Sequence, residues 1–323
     1  MSDHKIDELL RGNVPLESPE ARERARLRLR AAIALEEAAP ARHRRRLLSL
    51  IAAAAAVVVG LLLLQILLPP GTGGPHVSAA EEIRRLGRLS IAQSPLQLGP
   101  NEYIYSHYRE YTKQSPSDEA DYTLAVTTDV ESWFAKDGSG ERKSTDSQVG
   151  FASPVDRNNW LDAGSPALPA VGVTRSDHFV AGDLRYFDIG RLPTNPTDLR
   201  GVLEEDPDFA GGEGDANLLV RIGDLLSQEN LSPELRQALF EVAAAIPSAT
   251  VQFGVEDHAG RAAVSVMAPD ESAVTTLFFD PSDAELLGTS VVYPPADGRP
   301  SFAEWRLYLG SGVVSKIGDR PTA

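Results

Sequence analysis

The stretch "ATVQFGVEDHAGRAAVSVMAPDESAVTTLFFDPSDAELLGTSVV", residues 249–292, decides the fold. It holds four apolar segments, "ATVQFGV", "AAVSVM", "AVTTLFF" and "LLGTSVV", separated by "EDHAGR", "APDES" and "DPSDAE". Strands of about six residues with Asp-, Gly- and Pro-bearing turns between them make an antiparallel meander. A fifth segment, "AEWRLYLGSGVVS", follows a short proline-rich link and extends the meander by one strand.

Helical patterns precede it. "SPELRQALFEVAAAI" starts with a capping serine and a first-turn proline, and Leu235, Leu239 and Val242 make a core stripe. "ANLLVRIGDLLS" and "NPTDLRGVLEE", the latter capped near Asn195 or Thr197, add two more helices, and a short one is expected over 79–89. Between them lie further strands. "NEYIYSHYREYT" alternates, so Tyr103, Tyr105, His107, Arg109 and Tyr111 share one face. "YTLAVTTDVESWFAKDGSGERKS" reads as a strand, a turn at 137–140 and a return, whereas residues 155–190 give no clear pattern. Helices falling between strand groups make the class α+β: one curved antiparallel sheet with helices packed on it.

Further out, "RHRRRLLSLIAAAAAVVVGLLLLQILLPPG", residues 42–71, contains 22 uncharged positions, 47–68. At 1.5 Å per residue these make a helix of about 33 Å, the thickness of a hydrocarbon core. "RRRLLS" echoes a twin-arginine export signal and "HVSAA", 76–80, offers small residues to a peptidase, so cleavage after export is the other reading. The length of the run and its start 46 residues into the chain favour a permanent single-pass anchor. The flank before it holds 11 Lys or Arg, and the first basic residue after it is Arg84. Positive flanks stay inside, so the N-terminus is expected in the cytoplasm and the C-terminal domain outside the cell membrane. The expected plan is a cytoplasmic segment 1–46, a transmembrane helix 47–68, a Pro/Gly linker 69–78 and an extracytoplasmic α+β domain 79–323.

Composition excludes several functions. Of 31 basic and 46 acidic residues, the first 46 positions hold 11 and 8, leaving 20 and 38 beyond the anchor, a balance of −18. So acidic an outer domain argues against nucleic acid as a partner. The chain has no cysteine, which removes disulfides, thiolate metal sites and Cys nucleophiles. The motifs G-x-S-x-G, H-E-x-x-H and G-x-x-x-x-G-K do not occur. His107 reads as a packing or half-exposed histidine and His258 as part of a hairpin turn. The acidic loop 204–217 departs from calcium-loop spacing and reads as solvated. The Asn230-Leu231-Ser232 sequon is better explained by Ser232 as a helix cap. No catalytic residue, cofactor or metal ligand is assigned, and the chain is not expected to be an enzyme.

"NEYIYSHY", "ESWFAKDGSGERK", "LPTNPTDLRGVL", "SPELRQALFEVAAAIP" followed by "TVQFGVEDHAGRAAVSV", and "LFFDPSDAELLG" resemble, in that order, an uncharacterised family of actinobacterial single-pass membrane proteins. The resemblance covers nearly the whole outer domain, the Arg-rich inner segment and the anchor. Its members are similar in plan to anchored regulators encoded beside extracytoplasmic-function sigma factors. The meander with "FDPSDAELLG" also looks like the half-barrel of lipoprotein carriers and of periplasmic sigma-regulator sensor domains.

Two functions are consistent with these residues. In the first, the outer domain senses an envelope condition and the inner segment holds a cytoplasmic partner such as a sigma factor. Residues 18–38 form a capped helix whose stripe Ala25, Leu29, Ala32 and Ile33 has nothing in the short inner segment to cover it. The competing reading of that helix is that its arginines lay it on the anionic inner leaflet. In the second function, the chain is an anchored carrier or binding module. Tyr103, Tyr105 and Tyr111, with Trp133 and Phe253 in neighbouring strands, would then line an apolar concavity for a lipid or an apolar peptide. A filled core is the alternative for those five residues. A 46-residue inner segment exceeds what an anchor needs and favours the first function. The absence of cysteine departs from the His/Cys zinc site of the familiar anti-sigma domain.

Overall fold

The computed structural model describes residues 78–117, 120–182, 189–205, 214–296 and 299–322. The stripe Ala25, Leu29, Ala32 and Ile33, the run 47–68 and the linker up to residue 77 lie outside them. Among the described residues no helix is long and apolar enough to cross a membrane.

The expected α+β class is present. Nine strands, β1 (Tyr103–Gln114), β2 (Leu124–Phe134), β3 (Gly140–Phe151), β4 (Thr174–Phe179), β5 (Thr250–Glu256), β6 (Ala262–Pro269), β7 (Val274–Phe279), β8 (Leu286–Tyr293) and β9 (Phe302–Val314), form one open sheet. Their order is β4-β3-β2-β1-β9-β8-β7-β6-β5, and every neighbouring pair is antiparallel. The sheet is therefore two meanders, β1–β4 and β5–β9, joined where β1 pairs with β9. Five α-helices accompany it among the described residues: α1 (Ala79–Ser90), α2 (Pro154–Asp162), α3 (Pro196–Glu205), α4 (Asp215–Leu226) and α5 (Pro233–Ala244). The unpatterned region 155–190 contributes most of α2, and β4.

Local chemistry sets the helix ends. Ser78 and Glu81 form a capping box on α1, Asn195 accepts from the Thr197 and Asp198 amides at α3, and Ser232 accepts from the Leu235 amide at α5. Helix α4 lacks a cap of its own, and the Asp270 carboxylate from the β6–β7 turn receives the Ala216 amide instead.

Helices α1, α3, α4 and α5 cover β5–β8. Ile83, Leu86, Leu199, Leu219, Ile222, Leu239, Phe240, Leu277 and Phe279 form the centre of the core. Two glycines allow the close approach: a Cβ on Gly87 would lie 2.9 Å from Phe240 Cβ, and one on Gly223 would lie 2.6 Å from Leu277 Cδ2. Truncating a leucine here costs about 2–5 kcal/mol.

Four bulges interrupt the ladders, at Ser147, Gly254, Leu287 and Leu309. Arg261 addresses two of them. Its guanidinium donates to the Leu287 carbonyl (2.6 Å) and to that of Tyr308 (2.9 Å), the residue before the fourth bulge, while pairing with buried Asp257 (2.6 Å).

Candidate functional site

Register distinguishes the two faces of the sheet. Reading across from β5 to β3, one row on the helix side runs Val251, Val266, Leu277, Thr289, Arg306, Glu110, Thr128, Asp146. The even-numbered residues of β1 thus lie on the helix side, and Tyr103, Tyr105 and Tyr111 lie on the opposite face. Alternation told which residues share a face but not which face the helices cover.

The five aromatic candidates fall into three places. Tyr103, Tyr105 and Trp133 come together with Val314, the Tyr105 and Trp133 rings 5.5 Å apart. Tyr111 is stacked between Trp305 (5.7 Å) and Phe302 (5.3 Å), and His258 stacks on Trp305 in turn (5.3 Å), so these ring faces are largely occupied by one another. Phe253 is on edge strand β5 beside the Gly254 bulge, 55% exposed, with Arg85 near its ring.

The first group is the best-built site, and the chain itself covers it. The segment after β9 turns back, the Asp319 amide donating to the Lys316 carbonyl, and lies over β2 and β9. The Trp133 indole N–H donates to the Asp319 carbonyl (2.6 Å). Arg320 forks onto Glu131, Nε to Oε1 at 2.7 Å and Nη2 to Oε2 at 2.9 Å, and Tyr105 donates its hydroxyl to Oε1 at 2.7 Å. Pro321 rests on Gly312, where a Cβ would come within 2.6 Å of Pro321 Cγ. Burial, then the hydrogen bond and charge of Glu131, push the Tyr105 phenol well above its ordinary pKa. Burial also works to raise the Glu131 carboxyl, but the hydrogen bonds from Arg320 and Tyr105 outweigh it and hold the group below its ordinary value. Glu131, Asp319, Arg320 and Gly312 were not picked out in the sequence. The available signal was the pair of glycines in "LGSGVV", since a strand glycine without positive φ marks a close approach.

On the helix side, the row turns polar where α4 ends its cover. Arg306 pairs with Glu110 at 3.0 Å, lies 4.9 Å over the Tyr108 ring and is 3.8 Å from Asp224. Burial raises the half-exposed Asp224 carboxyl, which the Arg306 charge partly offsets. Beyond it, Thr128 donates to Asp146 (3.0 Å), and Arg175 of β4 forks onto the same carboxylate (2.8 and 3.0 Å). Ser106 and Ser132 share a hydrogen bond of 2.7 Å two rows further along the same face.

Comparison with protein-family models, with curated proteins and with solved structures finds no match. Function has to be read from this chain's own residues.

Other sequence candidates are placed as follows. His107 is half-exposed with Nε2 3.8 Å from Asp129, and His258 is in the β5–β6 turn, its pKa lowered by burial against the opposing charge of Asp257. Ser232 serves as the α5 cap. The middle of the acidic loop lies outside the described residues. Among the described residues there is no cluster of three or more His, Asp or Glu arranged to hold a metal ion.

Proposed function

We propose that this chain is a membrane-anchored envelope sensor and regulator, anti-sigma-like in plan. Its outer domain recognises a polar peptide or protein signal. Its inner helix holds a cytoplasmic partner through Ala25, Leu29, Ala32 and Ile33. The observation that carries the outer half of this reading is the Tyr105–Glu131–Trp133 site: a charged, hydrogen-bonding, partly buried recognition surface whose present occupant is a short piece of chain. Such a surface suits a protein that binds and reports rather than one that turns a substrate over.

The carrier reading asks for an apolar lining. The helix-side row counts against a lipid tail there, because past Thr289 it presents Arg306, Glu110, Thr128 and Asp146. On the opposite face, Trp133 and Tyr105 are already 98% and 96% buried.

The test of the regulator is substitution in the inner helix. Leu29→Asp with Ile33→Asp should abolish capture of a sigma factor or similar partner in pull-downs from cells while leaving the protein in the membrane. Recovery of the same cytoplasmic proteins with and without the changes would remove the reading.

A further inference from the structure

We infer that the trough over Tyr105, Glu131, Trp133 and Gly312 is a receptor site for an extended, arginine-bearing peptide supplied by another protein, and that residues 319–321 occupy it in cis as a displaceable strap. This names the ligand class of the sensor proposed above and rests on that reading only for its biological role.

The chemistry of the occupant specifies that of the ligand. A guanidinium is forked onto Glu131, the carbonyl preceding the arginine meets the Trp133 indole N–H, and the following proline lies on Gly312. A planar fork onto a carboxylate selects arginine over lysine. Proline suits the next position, because it brings no amide to satisfy and lies flat on a surface that lacks a side chain.

Two observations indicate exchange rather than a permanent seal. First, the hold is slight: residues 315–320 are exposed, and Arg320 keeps 67% of its side chain in solvent while it pairs. Segments with few buried contacts open independently of the core. Second, the trough is longer than its occupant. Gly310 is paired to His107, one row beyond the Gly312–Tyr105 pair, and a Cβ there would meet nothing within 4 Å. Neither glycine has a positive φ, so space rather than backbone conformation is what each supplies. The acidic balance of the outer domain favours a basic ligand.

A cis occupant lowers apparent affinity in proportion to the time it is bound. The full chain in detergent is titrated with a fluorescein-labelled Gly-Asp-Arg-Pro-Thr peptide and with its Arg→Ala control. Arg320→Ala, which releases the strap, should bind the labelled peptide about fivefold or more tightly than the parent. Adding Glu131→Gln should remove that gain, and Trp133→Phe, which deletes the indole donor together with part of the buried ring, should weaken it. Thermal melts of each variant report folding separately. Equal affinity of parent and Arg320→Ala, or binding indifferent to Glu131 or to the peptide arginine, overturns the inference. Loss of peptide binding alongside intact capture of a cytoplasmic partner sinks this site and leaves the regulator standing; the converse sinks the regulator and leaves the site.

Discussion

Arg261→Ala tests whether the sheet's two C-terminal bulges are held in place or merely tolerated. The guanidinium makes charge-assisted bonds to the Leu287 and Tyr308 carbonyls, each worth about 1.5 kcal/mol net. It also pairs with Asp257, adding about 1 kcal/mol after allowance for the partial exposure of Arg261. The sum is about 4 kcal/mol at most, and about 3 kcal/mol if water reaches one carbonyl. For a domain of this size, about 3 kcal/mol lowers the melting temperature by about 6–12 °C. Thermal and urea unfolding followed by circular dichroism measures the loss. Arg261→Lys keeps the charge near Asp257 but cannot span both carbonyls, so it should lose about half as much. An Arg261→Ala chain within about 1 kcal/mol of the parent would show that the freed carbonyls find other partners and that Arg261 does not hold the bulges.

Two further outcomes are expected. Single cysteines at Ser2 and Ser301 of the cysteine-free chain should differ on intact cells, an impermeant maleimide labelling only Ser301→Cys; labelling of Ser2→Cys instead reverses the topology. Stability should pass through a maximum at mildly acidic pH. Burial raises Asp224, Glu229 and Glu285, so their penalty at neutral pH is relieved as pH falls through their folded values, above about 4. His258, lowered by burial, subtracts stability below about pH 6.5 and works against that gain. Hydrogen bonds hold Glu131, Asp156 and Asp270 below their ordinary values, so the stability they contribute is present above about pH 4 and is lost as pH falls through their folded values. Urea unfolding that weakens monotonically from pH 7 downward contradicts this balance.

Elements with strong local chemistry were legible. The cap at Ser232, the α3 cap as one of Asn195 or Thr197, the core stripe of α5 and the five strands of the C-terminal meander read directly, because side-chain spacing and turn residues carry them. Helix α2 and strand β4 did not, for reasons visible in their contacts. Helix α2 is pinned by Asp156, which accepts from the distant Thr123 amide and from Arg299, and β4 is exposed along nearly all its length. Neither has an apolar period to read. The pairing of β1 with β9 joins residues about two hundred positions apart, which no local pattern encodes, and the strap over Trp133 depends on it.

The glycines of β9 show why the site could not be read by alternation even with every strand correctly placed. In strict period two, continuing from the Tyr308–Tyr108 pair would set Leu309 opposite His107 and Ser311 opposite Tyr105. The bulge at Leu309 inserts one residue, so Gly310 meets His107 and Gly312 meets Tyr105 instead. A serine at that place would put its Cβ where Pro321 lies, and the strap would have no seat. Nothing about Leu309 itself marks the insertion, since leucine is unremarkable in a strand. The contact at the insertion is a distant one: the Tyr308 carbonyl is bonded by Arg261 from the β5–β6 turn. The face proposed for recognition is thus tied to the second meander: the bulge whose preceding carbonyl Arg261 bonds is the one that sets which β9 residues share a face with Glu131.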